Sequence, residues 1–190
     1  MIWILLWGMF AQQAPDVYRV RAETTAGAFT MEVTRSMAPI GADRFYELVQ
    51  SGFYDDSRFF RVVPGRFAQF GIPGVPAKKW DMHAFADDPV KISNLRGTFA
   101  FAMTGPGART TQIFISTADQ PRQDAQGFAP LGRIVEGMEV VERLYSGYAE
   151  TSGGGMRAGK QQRLFADGNA YLDREFPKLD KLVRARIQPK

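Results

Sequence analysis

One arginine stands inside a run that otherwise reads as core strand. If Phe59-Phe60-Arg61-Val62-Val63 is extended, its side chains alternate between faces, so Arg61 shares a face with Phe59 and Val63 and lies opposite Phe60 and Val62. Pro64-Gly65 is a turn signal, and a second short strand after it brings Phe67 and Gln69 onto one face. The arginine then has an apolar neighbour and a hydrogen-bond acceptor. Arginine, glutamine and an aromatic ring on one patch predict a recognition site.

A second block, residues 98–116, contains two apolar strand-like runs joined by a loop with Gly105-Pro106-Gly107. In the first run Ala100, Ala102 and Thr104 share a face, and small side chains in a row leave room for an extended peptide to lie against the backbone. In the second run Gln112 and Phe114 share a face, repeating the glutamine and aromatic pairing of the first block.

At these residues the chain resembles the cyclophilin family of peptidyl-prolyl cis-trans isomerases. The resemblance rests on Phe59-Phe60-Arg61-Val62-Val63 followed by Arg66-Phe67-Ala68-Gln69-Phe70-Gly71, then on Ala102-Met103-Thr104-Gly105-Pro106 and Gln112-Ile113-Phe114-Ile115. It continues through residues 124–138 and covers most of 17–148. It implies that Arg61 is catalytic and that Gln69 holds its guanidinium. Phe67 and Phe114 form the pocket floor, Gln112 touches the peptide backbone, and Phe60, Ala102, Met103, Thr104, Gln123 and Phe128 complete the substrate site. Several positions depart from the family pattern. Arg66 stands where a pocket-lining phenylalanine is usual, Gln123 where leucine is usual, Arg122 where some members carry tryptophan, and Phe60 and Phe128 where histidines are usual. Two apolar pocket walls are therefore expected to be missing.

The chemistry that such a site must perform is well defined. Rotation about an X-Pro bond meets a barrier of roughly 18–20 kcal/mol because the twisted amide loses resonance. Lowering it takes an apolar pocket for the proline ring, an extended flanking backbone and a donor aimed at the prolyl nitrogen, whose lone pair localises only in the twisted state. No nucleophile, metal or cofactor is needed. The expected partners are proline-containing polypeptides or unfolded client proteins. The alternative is a module that binds proline-containing segments without accelerating isomerisation. Taken alone, Arg61 also reads as a structural arginine paired with an acidic side chain in a barrel wall.

Other motifs carry less. Residues 154–161 approach a phosphate-binding loop, but Gln161 replaces the magnesium-binding Ser or Thr and no buried strand precedes it. His83 is the only histidine, which leaves little material for a His-based metal site or a triad. The pairs Asp55-Asp56 and Asp87-Asp88 lie beside turn signals and read as solvated, with a weak calcium site as the minor reading.

The elements that must position Arg61 follow from pattern. Residues 18–24 and 29–34 alternate like strands around Thr25-Ala26-Gly27, a hairpin signal. Residues 39–50 read as a helix with Pro39 in its first turn, Phe45, Leu48 and Val49 on one face, and Gly52 past its end. The two blocks add four strands, separated by a long connection over 72–94. A short helix at 138–145, a glycine-rich loop at 150–168, a helical stretch at 169–176 and a last strand at 181–187 complete the order. In that strand Val183, Ala185 and Ile187 are expected inward and the arginines outward. This fits a mainly β fold, and the resemblance implies a closed eight-stranded antiparallel barrel with two or three peripheral helices.

Composition agrees with one domain. The 190 residues are 45% hydrophobic and 13% aromatic, enough for a single core. A net charge of +4 with dispersed basic residues gives no nucleic-acid footprint. Cysteine is absent, which excludes disulfides and thiol chemistry. The first eleven residues form an apolar run too short for a spanning helix of about 20 residues, similar to the core of a secretory signal but without a basic leader. Residues 1–14 are therefore expected to be a signal peptide cleaved near Ala11 or Ala14, or an uncleaved apolar segment. Residues 15–190 are expected to form one monomeric domain, periplasmic or secreted, with a cytoplasmic location as the alternative.

Overall fold

The structure is a computed structural model, and it describes residues 13–153 and 161–189. The apolar run and the phosphate-loop-like pattern therefore lie outside the described residues, apart from Gln161. Among the described residues nine strands form one antiparallel sheet: β1 (Val17–Thr24), β2 (Gly27–Thr34), β3 (Ser57–Arg58), β4 (Arg61–Val63), β5 (Phe67–Phe70), β6 (Thr98–Phe101), β7 (Ile113–Ser116), β8 (Pro130–Glu136) and β9 (Lys181–Ile187). Their spatial order is β3-β9-β1-β2-β8-β6-β7-β5-β4.

The two ends of that order belong to one stretch of chain. β3 pairs with β9 and β4 pairs with β5, and only Phe59 and Phe60 separate them. The sheet thus curls until both edges meet in residues 57–63, which is why the expected eight strands are counted as nine. The bend also changes the expected alternation. Phe59 points into the main core with Val62, while Phe60 enters a separate small core, so neither shares a face with Arg61.

From Arg61 onward period-2 alternation holds. Val62, Ala68, Phe70, Phe99, Phe101, Ile113 and Ile115 fill the main core, while Val63, Phe67, Ala100, Ala102 and Phe114 gather on the opposite side of the same strands. Helix α1 (Pro39–Gln50) covers the core with Phe45, Leu48 and Val49 and stops before Gly52, whose φ of +67° is left-handed. Its first turn has no local cap. Instead the Asp88 carboxylate accepts from the Ile40 and Gly41 N–H groups at 3.1 and 2.7 Å, a negative charge at the positive end of the helix.

The acidic pairs are therefore engaged rather than merely solvated. Asp87 pairs with buried Arg109, Asp55 with Arg186 and Asp56 with Arg58. In β9 the burial pattern also departs from simple alternation. The register with β1 shifts between Glu23 and Thr24, and Val183 is turned out to 49% exposure while Leu182 and Ala185 are buried. A bulge of this kind reverses the face of the residues before it.

After α2 (Met138–Glu142) the expected glycine-rich loop contains a further helix, α3 (Gln162–Asp167), followed by α4 (Asn169–Glu175). Leu164, Leu172 and Leu179 from this region close over Phe60 and Ile72, with Tyr148, Phe165, Tyr171 and Phe176 around them. This second core lies beside the stretch in which the sheet edges meet. Among the described residues no helix is long and apolar enough to cross a membrane.

Candidate functional site

The β4–β5 hairpin sets the site. Its register pairs Arg61 with Gln69, Val62 with Ala68 and Val63 with Phe67, so the arginine, the glutamine and the phenylalanine share one face by geometry alone. The Arg61 guanidinium stacks over the Phe67 ring at 4.6 Å from its centroid. β7 pairs with β5 and places Phe114 opposite Gln69. Phe67, Phe114 and Phe128 make a chain of edge-to-face contacts, with centroids 6.2 and 5.4 Å apart.

These rings and Ala102 face a cavity of about 600 Å³ whose rim includes Met103, Gly105, Pro106, Gln123 and Gln126. Such a cavity is large enough for a small ring with extended backbone on either side. Among the described residues, Arg61 is the only cation in its lining. Thr104 is exposed just outside it.

The part of the lining formed by Gln123 and Phe128 is pinned by an aspartate. Asp124 accepts from the Asn94 backbone N–H at 2.9 Å and from its side-chain amide at 2.7 Å, and from the Ser93 hydroxyl. The Asn94 amide also donates to the Phe128 carbonyl at 2.8 Å, and the Phe128 N–H donates to the Gln123 carbonyl. Burial alone would raise the Asp124 pKa, but the Ser93 and Asn94 hydrogen bonds outweigh it and hold the carboxyl below its ordinary value. Both Gln123 and Phe128 are thereby fixed.

Four expected site residues lie elsewhere. Phe60 is 1% exposed and packs under α3 and α4, because the bend after β3 turns its ring away from the groove. Gln112 is fully buried beneath the groove, its Oε1 taken by Gln69 and its amide given to Gln161 Oε1, rather than lining the cavity. Arg66 lies over Phe67 from outside, 5.3 Å from the ring centroid, and does not line the cavity. Arg122 is exposed on the short turn Pro121–Gln123. Phe67 lines the cavity and Arg66 does not, and Gln123 puts a polar group into the lining where an apolar one was expected.

Sequence patterning missed two partners. Glu150 accepts from Arg61 Nη2 at 2.7 Å and from Nε at 3.2 Å. Gln161 accepts from Gln112 at 3.0 Å. Both fall in the stretch read as a loop, where no periodicity marks them.

Residues 19–163 match the family described as cyclophilin type peptidyl-prolyl cis-trans isomerase/CLD. The chain belongs to the cyclophilin-type peptidyl-prolyl cis-trans isomerase family. This cyclophilin is 34% identical over 137 residues to a peptidyl-prolyl cis-trans isomerase of Acinetobacter baylyi, covering 66% of this chain and 70% of that one. It is also 34% identical over 142 residues to peptidyl-prolyl cis-trans isomerase A of Dickeya dadantii, covering 68% and 72%. The fold matches crystal structures of a cyclophilin of Cryptosporidium parvum and of AquaCyp293 from Hirschia baltica, each with a TM-score of 0.67 over 92% of this chain. The sequence identities are 18% and 17%, and the shares of those chains covered are 99% and 75%. The cyclophilin thus keeps the family fold, and of the departures at Arg66, Arg122 and Gln123 only Gln123 lines the groove.

Proposed function

We propose that this cyclophilin accelerates X-Pro rotation with Arg61 as the donor to the prolyl nitrogen, while Phe67, Phe114 and Phe128 hold the proline ring and Ala102 leaves space for the flanking backbone. The observation that carries this reading is the donor count on Arg61. A guanidinium has five N–H donors, and among the described residues three are committed: two to Glu150 and one to Gln69. One N–H on each Nη is left for a ligand in the cavity. A donor fixed before the substrate twists, beside an apolar ring, favours the twisted amide over the planar one and costs no reorganisation during the reaction.

The substrates proposed are proline-containing segments of unfolded or extended polypeptides, bound by a monomer without a cofactor. The apolar run over the first eleven residues supports a role on exported proteins outside the cytoplasm.

Magnetisation-exchange NMR on a short Ala-Pro peptide, with the full chain and its Arg61→Ala and Arg61→Lys variants, tests the reading. The parent is expected to accelerate exchange. Arg61→Ala is expected to lose on the order of 10²-fold, as for removal of one transition-state donor. Arg61→Lys should recover little, because an ammonium lacks the planar fork that Glu150 and Gln69 hold. Full activity in Arg61→Ala would refute the assignment, and peptide binding without acceleration in the parent would favour the binding module.

A further inference from the structure

We propose that Glu150 is a positioning residue for this reaction, a carboxylate that fixes the plane of the Arg61 guanidinium; the inference rests on Arg61 being the catalytic donor. Its two oxygens accept from Nε and Nη2 in a fork, the arrangement that defines both the place and the orientation of a guanidinium. Gln69 Oε1 accepts from Nη1 at 3.1 Å on the other side. Held at three donors, the group keeps its two remaining N–H bonds in fixed directions.

The second grip has a built-in polarity. Arginine has no acceptor, so Gln69 must turn its oxygen to Arg61 and its amide inward, where it donates to Gln112 Oε1 at 2.8 Å; Gln112 in turn donates to Gln161 Oε1 at 3.0 Å. Each amide in the chain is oriented by the one before it, and a chain of this kind polarises in one direction. Both ends of the device, Glu150 and Gln161, come from the segment between α2 and α4.

That segment is fastened to the residue next to Arg61. The Ser152 hydroxyl donates to the Phe60 carbonyl at 2.6 Å, and Gly153 lies so close to the Phe60 ring that an added Cβ would stand 2.3 Å from Cδ2. Ala149, immediately before Glu150, sits at a φ of +44°, where alanine is strained. Phe60-Arg61 is thus gripped through its backbone and through its side chain by one short loop. The ion pair itself is partly open to water, with Arg61 18% and Glu150 45% exposed. Pairs of this exposure add little stability, so what Glu150 supplies is orientation.

The test uses the full chain and its Glu150→Ala and Glu150→Gln variants, with exchange NMR for kcat, titration for peptide affinity, thermal melting, and the Arg61 side-chain Nε–H resonance. In Glu150→Ala, kcat is expected to fall about tenfold, a loss of about 1.4 kcal/mol in the transition state, with peptide Kd and Tm unchanged and the Nε–H resonance broadened by solvent exchange. Glu150→Gln, which keeps one acceptor oxygen, should recover part of the rate. An unchanged or raised kcat in Glu150→Ala, with Arg61→Ala inactive, overturns the inference. Failure of the underlying reading is distinct: it shows as full activity in Arg61→Ala.

Discussion

Arg61 and Gln69 are Cα partners across the β4–β5 hairpin, and their side chains repeat the pairing, with Arg61 Nη1 donating to Gln69 Oε1 at 3.1 Å. Backbone register and site chemistry coincide, so the turn at Pro64-Gly65 fixes which acceptor the arginine meets. Gln69→Leu should therefore act twice. Arg61 loses one of its three anchors, and Gln112 Oε1, in a fully buried side chain, loses its donor. Leaving a buried acceptor unpaired costs about 1–3 kcal/mol. Urea unfolding should show a loss in that range, and exchange NMR should show a slower rate at saturating peptide; unchanged stability would mean that Gln112 finds another donor.

The hairpin was legible because both of its signals are local. Alternation sorted Arg61, Phe67 and Gln69 onto one face, and the same logic gave α1 its bounds and its buried stripe. The bend at Phe59-Phe60 was not legible, because it arises where two sheet edges distant in sequence meet in one stretch. Family resemblance then put Phe60 in the groove, although alternation had already set it opposite Arg61. Glu150 was the least legible of all. It reaches Arg61 across 89 residues from a glycine-rich stretch without period, where nothing in the pattern separates a clamp from a solvated carboxylate. The structural and the recognition readings of Arg61 turn out to be compatible: it is paired with an acid and it also lines the cavity.

Gln123 tests how far the altered groove limits catalysis. Its Nε2 donates to Gln120 Oε1 at 3.1 Å, but its own Oε1 is buried without a partner among the described residues. Gln123→Leu removes that unpaired oxygen and one hydrogen bond, and restores an apolar wall. The expected result is a gain of about 1 kcal/mol in stability and severalfold tighter binding of an Ala-Pro peptide by titration. Arg66→Phe should change little, since Arg66 lies outside the cavity lining. Equal effects from the two substitutions would place the proline ring nearer Arg66 than the groove geometry does.

Asp124 gives the groove an acid limb. Its pKa is depressed in the folded protein, so its contribution is fully present above the unfolded value of about 3.9 and is lost as pH falls through the lower folded value. Protonation weakens the grip on Ser93 and Asn94 and loosens the wall that holds Gln123 and Phe128. Peptide affinity followed from pH 5 downward should fall below the ordinary carboxylate range. Asp124→Asn should bind weakly at every pH and lose that component of the titration. An acid limb that persists in the variant would trace to another group.

Ala14 decides how much of the N-terminal region the fold can lose. It is 3% exposed within the main core, and its N–H donates to Asp43 Oδ1 at 3.0 Å, the carboxylate that also takes Arg35 in a fork at 2.7 and 2.8 Å. The Arg35 hydrogen bonds are the main reason that the Asp43 pKa lies below its ordinary value, with burial opposing them and the Ala14 amide adding to them. A chain beginning at Gln12 keeps this arrangement, whereas one beginning at Pro15 loses a buried methyl and a charge-assisted hydrogen bond. The shorter chain should be less stable by about 1–2 kcal/mol in urea, and its Asp43 resonance should titrate at a higher pH. Equal stability of the two would show that Ala14 only rests on the core, and processing at Ala14 would then be as compatible with the fold as processing at Ala11.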